Sequence, residues 1–388
     1  MIGSASCDSR GALPSHPSRG NAAPGGARTP SGAASIGRIP PYNRSVLSSL
    51  HDRLGRPLHS LRVSVTDRCN LRCTYCMPEE EYTWLERDHL LRFGQLTEVV
   101  RAAVQLGTRK VRLTGGEPLL RRELWRLVEQ LRGLEGLEDV ALTTNGVHLE
   151  EAAGPLARAG LSRVTISLDT LDPARFRELT RRDALVPTLR GVESACESFP
   201  GRVKVNTVIM AGINDGEIEA MLRWAGDNGA ELRFIEYMDV EGATRWKRAQ
   251  VLPLGTMLER IAQAFGGVTP IETAASAPAR RYRLPSGQVF GVVASTTQPF
   301  CASCDRARLT ADGHLFTCLY GREGLDLATP LRQGEDATAL ARRIEHAWRE
   351  RTDQGAVDRL ALSDREASVT DSGALRSSPR REMHTKGG

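Results

Sequence analysis

Short runs of β-branched and apolar residues alternate with longer stretches of mixed polarity from residue 61 onward. Strands that alternate with helices are typical of βα units, so the pattern predicts an α/β fold with a parallel sheet. Six such units make up most of a barrel, and we expect an incomplete (β/α)6 TIM-like barrel. The predicted strands are 61–66, 110–114, 139–143, 163–169, 203–209 and 232–237, with helices around 94–107, 121–133, 150–160, 173–182, 187–198 and 215–228.

Within these strands, polar and apolar residues alternate. Successive side chains of a strand point to opposite faces of the sheet. In the first strand Arg62 and Ser64 therefore lie opposite Val63 and Val65. A standard barrel packs its interior with branched apolar residues, so polar inner faces predict an open, charged lumen. An antiparallel sheet with one solvated face is the alternative, which the intervening helices disfavour. The same alternation assigns to the polar face Arg112, Thr114, Thr165, Ser167, Asp169, Lys204 and Asn206.

Distinctive residues follow the ends of the first three strands. A cysteine-rich loop follows the first strand, Gly115-Gly116-Glu117-Pro118 follows the second, and Thr144-Asn145-Gly146 follows the third. Functional groups of α/β barrels gather at the C-terminal ends of strands, which indicates one shared mouth. Glycine pairs mostly make turns, but here they would also let a ligand approach the backbone.

The cysteine-rich loop holds Cys69, Cys73 and Cys76 in a C-x3-C-x2-C spacing. Structural zinc is four-coordinate, and the next Cys or His is as distant as His89. An iron–sulfur cubane on three thiolates leaves one iron open to another ligand. The spacing favours such a cluster, and a zinc knuckle or a redox trio is the alternative.

A second triplet lies downstream, where the βα rhythm is lost between about 240 and 330. Strands are predicted at 282–284 and 289–293, followed by Cys301, Cys304 and, after thirteen intervening residues, Cys318. The spacing resembles half a zinc ribbon, for which His314 is the candidate fourth ligand. Between these cysteines stand Arg306 and Arg308, which strand alternation would aim the same way. Guanidinium groups bind phosphate oxygens bidentately, so the pair indicates an anionic ligand; a solvated surface pair is the alternative.

Composition and charge narrow the class of protein. The chain has 388 residues, of which 40% are hydrophobic, and six of its eight cysteines fall into the two triplets. That usage is typical of metal sites in a reducing compartment, so we expect a cytoplasmic protein. Residues 1–51 carry five arginines against Asp8 alone, so they account for +4 of the net +5. No basic stripe or long apolar run remains, so we expect neither a nucleic-acid nor a membrane partner.

The ends of the chain differ from the middle. Residues 1–41 are rich in Gly, Pro, Ser and Ala and show no periodicity, which predicts a disordered extension; a transit peptide is the alternative. Residues 337–351 predict an amphipathic helix. Gly387-Gly388 stands at the end of a polar, weakly patterned stretch.

The first cysteine loop resembles the signature of the radical S-adenosylmethionine (SAM) enzymes. With both triplets the chain resembles the GTP 3′,8-cyclase family of molybdenum cofactor biosynthesis, over roughly residues 44–388. This resemblance implies a partial barrel at 42–240 and a C-terminal auxiliary-cluster region with a tail at 241–388. The motifs that carry it are Arg62-Val63-Ser64-Val65-Thr66-Asp67-Arg68-Cys69, Thr114-Gly115-Gly116-Glu117-Pro118, Thr143-Thr144-Asn145-Gly146, Ser167-Leu168-Asp169, Val203-Lys204-Val205-Asn206 and Arg233-Phe234-Ile235-Glu236-Tyr237-Met238.

The resemblance also implies a role for particular residues. The first triplet would hold a SAM-cleaving 4Fe-4S cluster and the second an auxiliary 4Fe-4S cluster whose open iron meets the guanine base. Its implied SAM contacts are Tyr75, Gly116, Ser167 and Met238, and its implied GTP contacts are Arg62, Arg112, Thr143, Lys204, Arg306 and Arg308.

By the same resemblance, a 5′-deoxyadenosyl radical takes hydrogen from C3′ of GTP, and the carbon radical attacks C8 of guanine. No residue is identified for the final protonation. The implied partners are an electron donor such as flavodoxin, the downstream cyclic pyranopterin monophosphate synthase, and a second copy in a homodimer. In members of the family a terminal Gly-Gly tail reaches into the cavity.

Two other functions fit parts of the pattern. A peptide-modifying radical SAM enzyme also carries auxiliary clusters, but usually with more downstream cysteines than the three here. An iron–sulfur carrier or zinc-stabilised binding module is the non-enzymatic alternative, and it would have no use for a polar barrel mouth.

Overall fold

The structure is a computed structural model, which describes residues 50–369 and 372–387; the predicted disordered extension at 1–41 lies outside them. The described residues belong to one compact unit that begins at Val46. Within them one mixed sheet contains β1 Ser60–Ser64, β2 Lys110–Thr114, β3 Asp139–Thr144, β4 Arg163–Ser167, β5 Val203–Ile209, β6 Glu231–Glu236, β7 Thr269–Ile271, β8 Arg280–Arg283, β9 Val289–Val293, β10 Arg306–Leu309, β11 His314–Phe316 and β12 Leu325–Asp326.

Within the described residues, seven helices lie between successive strands and four follow the last strand. Their bounds are α1 Phe93–Gln105, α2 Leu124–Arg132, α3 Leu149–Arg158, α4 Pro173–Thr180, α5 Leu185–Ser198, α6 Ile218–Asp227, α7 Leu254–Phe265, α8 Ala328–Arg332, α9 Ala337–Arg349, α10 Gly355–Leu360 and α11 Ser372–Arg376. No helix within the described ranges has the length and apolar character needed to cross a membrane.

Strands β1 to β6 lie side by side in chain order, and each neighbouring pair is parallel. The predicted parallel α/β arrangement is therefore confirmed. The apolar face of these strands packs on the helices: Val63, Leu113, Val164 and Val205 are at most 1% exposed. Each fully buried side chain of this size stabilises the fold by roughly 1.5–3 kcal/mol.

The remaining strands extend the sheet at both edges. On one side β10 pairs in parallel with β1, and β11 and β12 continue antiparallel. On the other side β9 pairs in parallel with β6, and β8 and β7 continue antiparallel. The sequence pattern indicated that the alternation of strands and helices is lost after about residue 240. In the structure it continues, because helix α7 connects β6 to the β7–β9 group.

The C-terminal segment returns across the sheet. Helix α9, which confirms the amphipathic helix predicted at 337–351, packs on α1 and buries Trp348 completely. Farther along, the amide of Met383 donates to the carbonyl of Glu241 at 2.9 Å. Residues His384, Thr385 and Lys386 are at most 3% exposed. The last described residues therefore lie inside the molecule, not at its surface.

Candidate active site

The first cysteine triplet lies in a loop that begins where β1 ends. The amides of Arg72 and Thr74 donate to the carbonyls of Thr180 and Leu179, which fastens the loop to the end of α4. The amides of Cys76 and Met77 both donate to the carbonyl of Cys73. These backbone bonds give the loop a fixed shape, and its three thiols are near enough that Cys69 and Cys76 both raise the pKa of Cys73.

The thiols of this loop are free and partly buried. Burial raises the pKa of Cys69 to about 11. Burial, then Asp169 and the other two thiols, raises the pKa of Cys73. Ionisation of several neighbouring buried thiols costs free energy unless a metal compensates the negative charge. Metal ligation in turn requires the thiolate. The donor set fits a thiolate-bound metal centre.

Residues at the ends of two neighbouring strands, β2 and β3, support this loop. The Asn145 side chain donates to Asn70 Oδ1 at 2.7 Å and approaches Cys69 Sγ at 3.9 Å. Glu117 is buried and accepts from the amide of Asn145 and the hydroxyl of Thr144, both at 2.7 Å. Burial raises the pKa of Glu117 to about 7. The predicted shared mouth at the strand ends is thus connected by hydrogen bonds.

Gly116 lies where two backbone segments approach each other. A Cβ on this residue would sit 2.3 Å from the carbonyl oxygen of Arg68 and 2.5 Å from that of Asp67. The close approach in the structure is therefore by the cysteine-loop backbone, which explains why a residue without a side chain stands here.

We expect Gly116→Ala to displace the cysteine loop. Overpacking of this kind costs about 1–3 kcal/mol, and the strain falls on backbone that cannot rotate away. Iron retained by the first triplet and SAM affinity should both fall, measured by iron analysis and equilibrium binding. Gly94→Ala is the control, since a Cβ at that position in α1 meets nothing within 4 Å. Equal iron content and equal SAM affinity in the two variants would show that the close approach at Gly116 does not position the cysteine loop.

The other implied SAM contacts lie around the same strand ends. The Tyr75 hydroxyl donates to Asp169 Oδ2 at 2.7 Å, and burial raises the pKa of Asp169 to about 6. Ser167 ends β4 on the polar face. Met238 follows β6 and packs, like Tyr75, against a small apolar cluster that includes Trp246.

The second triplet occupies the loops that flank β10 and β11. Cys301 begins a single 3-10 turn, Cys304 precedes β10, and Cys318 follows β11. Burial opposes ionisation of Cys304, yet Arg306 and Arg351 hold its pKa below the ordinary value. His314 Nδ1 lies 3.5 Å from Asp312 Oδ2.

Within the described part of the chain, no three Cys, His, Asp or Glu side chains converge closely enough to hold a single metal ion.

A row of arginines crosses the polar face between the triplets. In the sheet register Arg308 lies beside Arg62, and Arg62 lies beside Arg112. Burial, then Arg308 and Arg112, lowers the pKa of Arg62. Burial lowers the pKa of Arg112 to about 9 and that of Arg308 to about 10. Crowded, desolvated cations of this kind are stabilised by a polyanion.

The row continues along β3 to β6. Arg112 Nη1 donates to the hydroxyls of Thr143 and Thr165 at 3.0 and 3.1 Å. Lys204 pairs with Glu231 at 3.1 Å, and burial, then Arg233, lowers the pKa of Lys204 to about 8. The polar face thus carries hydroxyl groups and cations from six neighbouring strands, β10 and β1 to β5.

Some residues of the site were missed at the sequence level. Arg233 shares the polar face, and its Nε contacts Glu231 at 3.1 Å. Strand alternation extended to the sixth strand would have found it. Strand alternation places Asp169 on the polar face, but it does not reveal the hydrogen bonds of Glu117, Asn145 and Asp169, because their partners are distant in sequence.

The chain matches two family models. The Radical SAM superfamily model covers residues 63–225, and the Molybdenum Cofactor Synthesis C model covers residues 230–357. Among solved structures, Streptococcus suis SuiB bound to S-adenosylmethionine is similar with a TM-score of 0.54 at 15% identity, over 79% of this chain and 71% of that chain. Fold, cysteine loop and superfamily match together define a radical SAM protein with an α/β fold.

Curated relatives narrow this class. The chain is 44% identical to GTP 3′,8-cyclase 3 of Mycobacterium bovis over 88% of this chain and 91% of that protein. It is 43% identical to GTP 3′,8-cyclase of Acidothermus cellulolyticus over 86% and 95%, and 46% identical to that of Streptomyces coelicolor over 76% and 87%. The chain belongs to the GTP 3′,8-cyclase family.

Proposed function

We propose that this chain is a radical SAM enzyme, a GTP 3′,8-cyclase of molybdenum cofactor biosynthesis. It converts GTP into (8S)-3′,8-cyclo-7,8-dihydroguanosine 5′-triphosphate. The observation that carries the proposal is a polar face with a row of arginines, one buried and two partly buried, between two cysteine triplets, in a chain 44% identical to curated cyclases. With its two 4Fe-4S clusters and SAM bound, such an enzyme generates the 5′-deoxyadenosyl radical that takes hydrogen from C3′ of GTP.

Residues at the strand ends would bind the cofactors. Cys69, Cys73 and Cys76 hold the first cluster, and Cys301, Cys304 and Cys318 hold the auxiliary one. Tyr75, Gly116, Ser167 and Met238 contact SAM. What supports this set is its position: the first triplet and these four residues surround the ends of β1, β2, β4 and β6.

Residues of the polar face would bind the nucleotide. Charge-assisted hydrogen bonds from guanidinium and ammonium groups match a triphosphate. Fixing the ribose close to SAM while excluding water is the protein's main task, because a misplaced reacting atom costs orders of magnitude in rate. The proposed GTP contacts are Arg62, Arg112, Thr143, Lys204, Arg306 and Arg308.

Anaerobic reconstitution with iron and sulfide, followed by SAM, GTP and dithionite, tests this function. We expect about eight iron atoms per chain, 5′-deoxyadenosine, and a guanosine-derived product in equal amount. Bound zinc in either triplet, or turnover of SAM without a change in GTP, would contradict the proposal.

The C-terminal tail would help close the cavity. Arg308 Nη1 donates to the carbonyl of Gly387 at 2.7 Å, and Arg62 Nη1 donates to the same oxygen at 3.3 Å. Lys386 Nζ donates to the carbonyls of Leu319 and Gly321, beside the second triplet. The tail thus contacts two of the four arginines proposed to bind GTP, which supports a role in holding the nucleotide.

Changing Gly387 to alanine should impair cyclisation more than SAM binding. A Cβ at this position would lie 2.2 Å from Thr114 Cγ2, and Thr114 is a stiff β-branched residue. We expect turnover to fall about tenfold or more, because the tail shifts against the arginines. Turnover and SAM affinity are measured side by side.

Gly212→Ala is the matched control for this variant. Its φ of +74° equals the +73° of Gly387 within a degree, but a Cβ there meets nothing within 4 Å. Both variants share the left-handed backbone strain, and the contact with Thr114 is the difference. Equal turnover of the Gly387→Ala and Gly212→Ala variants would show that the tail has no role in holding GTP.

Finer assignments follow from the family resemblance. We assign β1 to β6 to an incomplete (β/α)6 barrel at 42–240, and 241–388 to the auxiliary-cluster region with its tail. A flavodoxin-like electron donor, the downstream cyclic pyranopterin monophosphate synthase and a second copy of the chain are the proposed partners.

A further inference from the structure

Two buried arginines lie directly behind the second cysteine triplet. Arg56 Nη1 donates to the carbonyl oxygen of Cys301 at 3.0 Å, and Arg351 Nη1 donates to that of Cys304 at 2.8 Å. Both guanidinium side chains are 1% exposed. Two of the three cysteines therefore have their backbone carbonyls bound by buried cations from outside their own loop.

Asp52 joins the two arginines. Its Oδ2 accepts from Arg56 Nε at 2.6 Å and from Arg351 Nη1 at 3.3 Å, and its side chain is fully buried. Its Oδ1 accepts from the amides of Leu54 and Arg56, which fixes the turn before β1. A carboxylate with four donors orients both guanidinium groups.

The network also reaches the third cysteine. Asp353 accepts from the hydroxyl of Thr317, the residue before Cys318, and its carbonyl accepts from Arg56 Nη1 at 2.7 Å. Asp353 Oδ2 lies 3.6 Å from Arg351 Nε. Two cations and two carboxylates thus balance, so removing either arginine leaves excess negative charge beside the triplet.

We propose that Arg56 and Arg351, bridged by Asp52, are positioning residues for the iron–sulfur cluster of the second triplet. They fix the backbone that presents Cys301 and Cys304, and they set the charge next to the cluster. This inference rests on the proposed function, in which that triplet holds the auxiliary cluster. Outer partners of metal ligands commonly control metal retention, and nearby charge and hydrogen bonds set the reduction potential.

The test isolates the second cluster in the full chain. A parent variant with Cys69, Cys73 and Cys76 all changed to alanine is reconstituted anaerobically with iron and sulfide, so that only the second triplet loads. Arg351→Met is then introduced into this parent. We expect iron loss to a chelator about tenfold faster than in the parent. We also expect a more negative midpoint potential, because the lost positive charge had favoured the reduced cluster.

Arg365→Met is a closely matched control in the same parent. Arg365 is also buried, binds one buried carboxylate, Asp239, and lies 5.2 Å from the ring of Trp246. Arg365 Nη1 donates to the carbonyl of Thr296 at 3.2 Å, whereas Arg351 Nη1 donates to the carbonyl of a cysteine, Cys304. The control should lose comparable thermal stability without moving the potential or the rate of iron loss.

Arg351→Lys separates charge from geometry. It keeps the positive charge and should restore the potential of the parent, while iron loss stays faster because a lysine cannot reproduce the guanidinium fork. If the methionine variant does not fold, the lysine variant decides: iron loss at the parent rate would overturn the inference.

Two failures are distinguishable. A potential and an iron-loss rate in Arg351→Met equal to those of Arg365→Met would overturn the positioning role and leave the second cluster in place. A parent that binds no iron at its second triplet would contradict the proposed function at that site, and this inference would fall with it.

Discussion

Replacing Cys73 with alanine is expected to abolish formation of 5′-deoxyadenosine from SAM. Cys73 is the middle cysteine of the first triplet, and its carbonyl accepts the amides of Cys76 and Met77, so its thiol lies inside a fixed loop. Two thiolates cannot retain a cubane that needs three protein ligands. The measurement is 5′-deoxyadenosine by chromatography after anaerobic incubation with SAM and dithionite.

Cys304→Ala serves as the counterpart to that variant. It should spare SAM binding and lose cyclisation of GTP, because the second triplet lies across the polar face from the SAM residues. Iron per chain should fall by about half in either variant. A Cys304→Ala enzyme that cyclises GTP at the normal rate would disprove the auxiliary-cluster role.

The second large effect is expected on nucleotide binding. Changing both Arg306 and Arg308 to alanine removes two cations that share one face of β10. Losing a charge-assisted hydrogen bond typically costs about 1.5–3 kcal/mol, so GTP affinity should fall roughly 10-fold to 100-fold per arginine. Equilibrium binding of GTP to the reconstituted enzyme measures this directly.

An exposed pair provides the control for lost charge. Arg101 and Arg126 form surface ion pairs with Glu98 and Glu123, and surface pairs contribute little. Their double alanine variant removes the same net charge, so GTP affinity should stay within about twofold of the parent. Unchanged GTP affinity in the double variant of Arg306 and Arg308 would show that the pair does not bind GTP.

Local alternation explains how much of the fold was predictable. That Arg62 and Val63 lie on opposite faces of the sheet, like Arg112 and Val111, follows from the two-residue period of a strand and needs no tertiary information. Strand ends were less certain: β1 ends at Ser64, not at residue 66, although the amide of Val65 still donates to the carbonyl of Thr114 and that of Gly116 to the carbonyl of Thr66.

Long-range pairing accounts for what the sequence did not reveal. Nothing local indicates that β10 pairs with β1, yet that register places Arg308 beside Arg62. Similarly, Arg56 and Arg351 reach Cys301 and Cys304 from segments 245 and 47 residues away. Such contacts depend on how the chain packs, and single-sequence patterns carry no signal for them.

We propose that this enzyme removes the C3′ hydrogen of GTP and joins C3′ to C8. GTP that carries deuterium at C3′ tests it most directly, in an anaerobic reaction of the reconstituted enzyme with SAM and dithionite. We expect one deuterium in the 5′-deoxyadenosine formed and a cyclised nucleotide that has lost it. Deuterium that stays in the nucleotide while 5′-deoxyadenosine accumulates would contradict the claim.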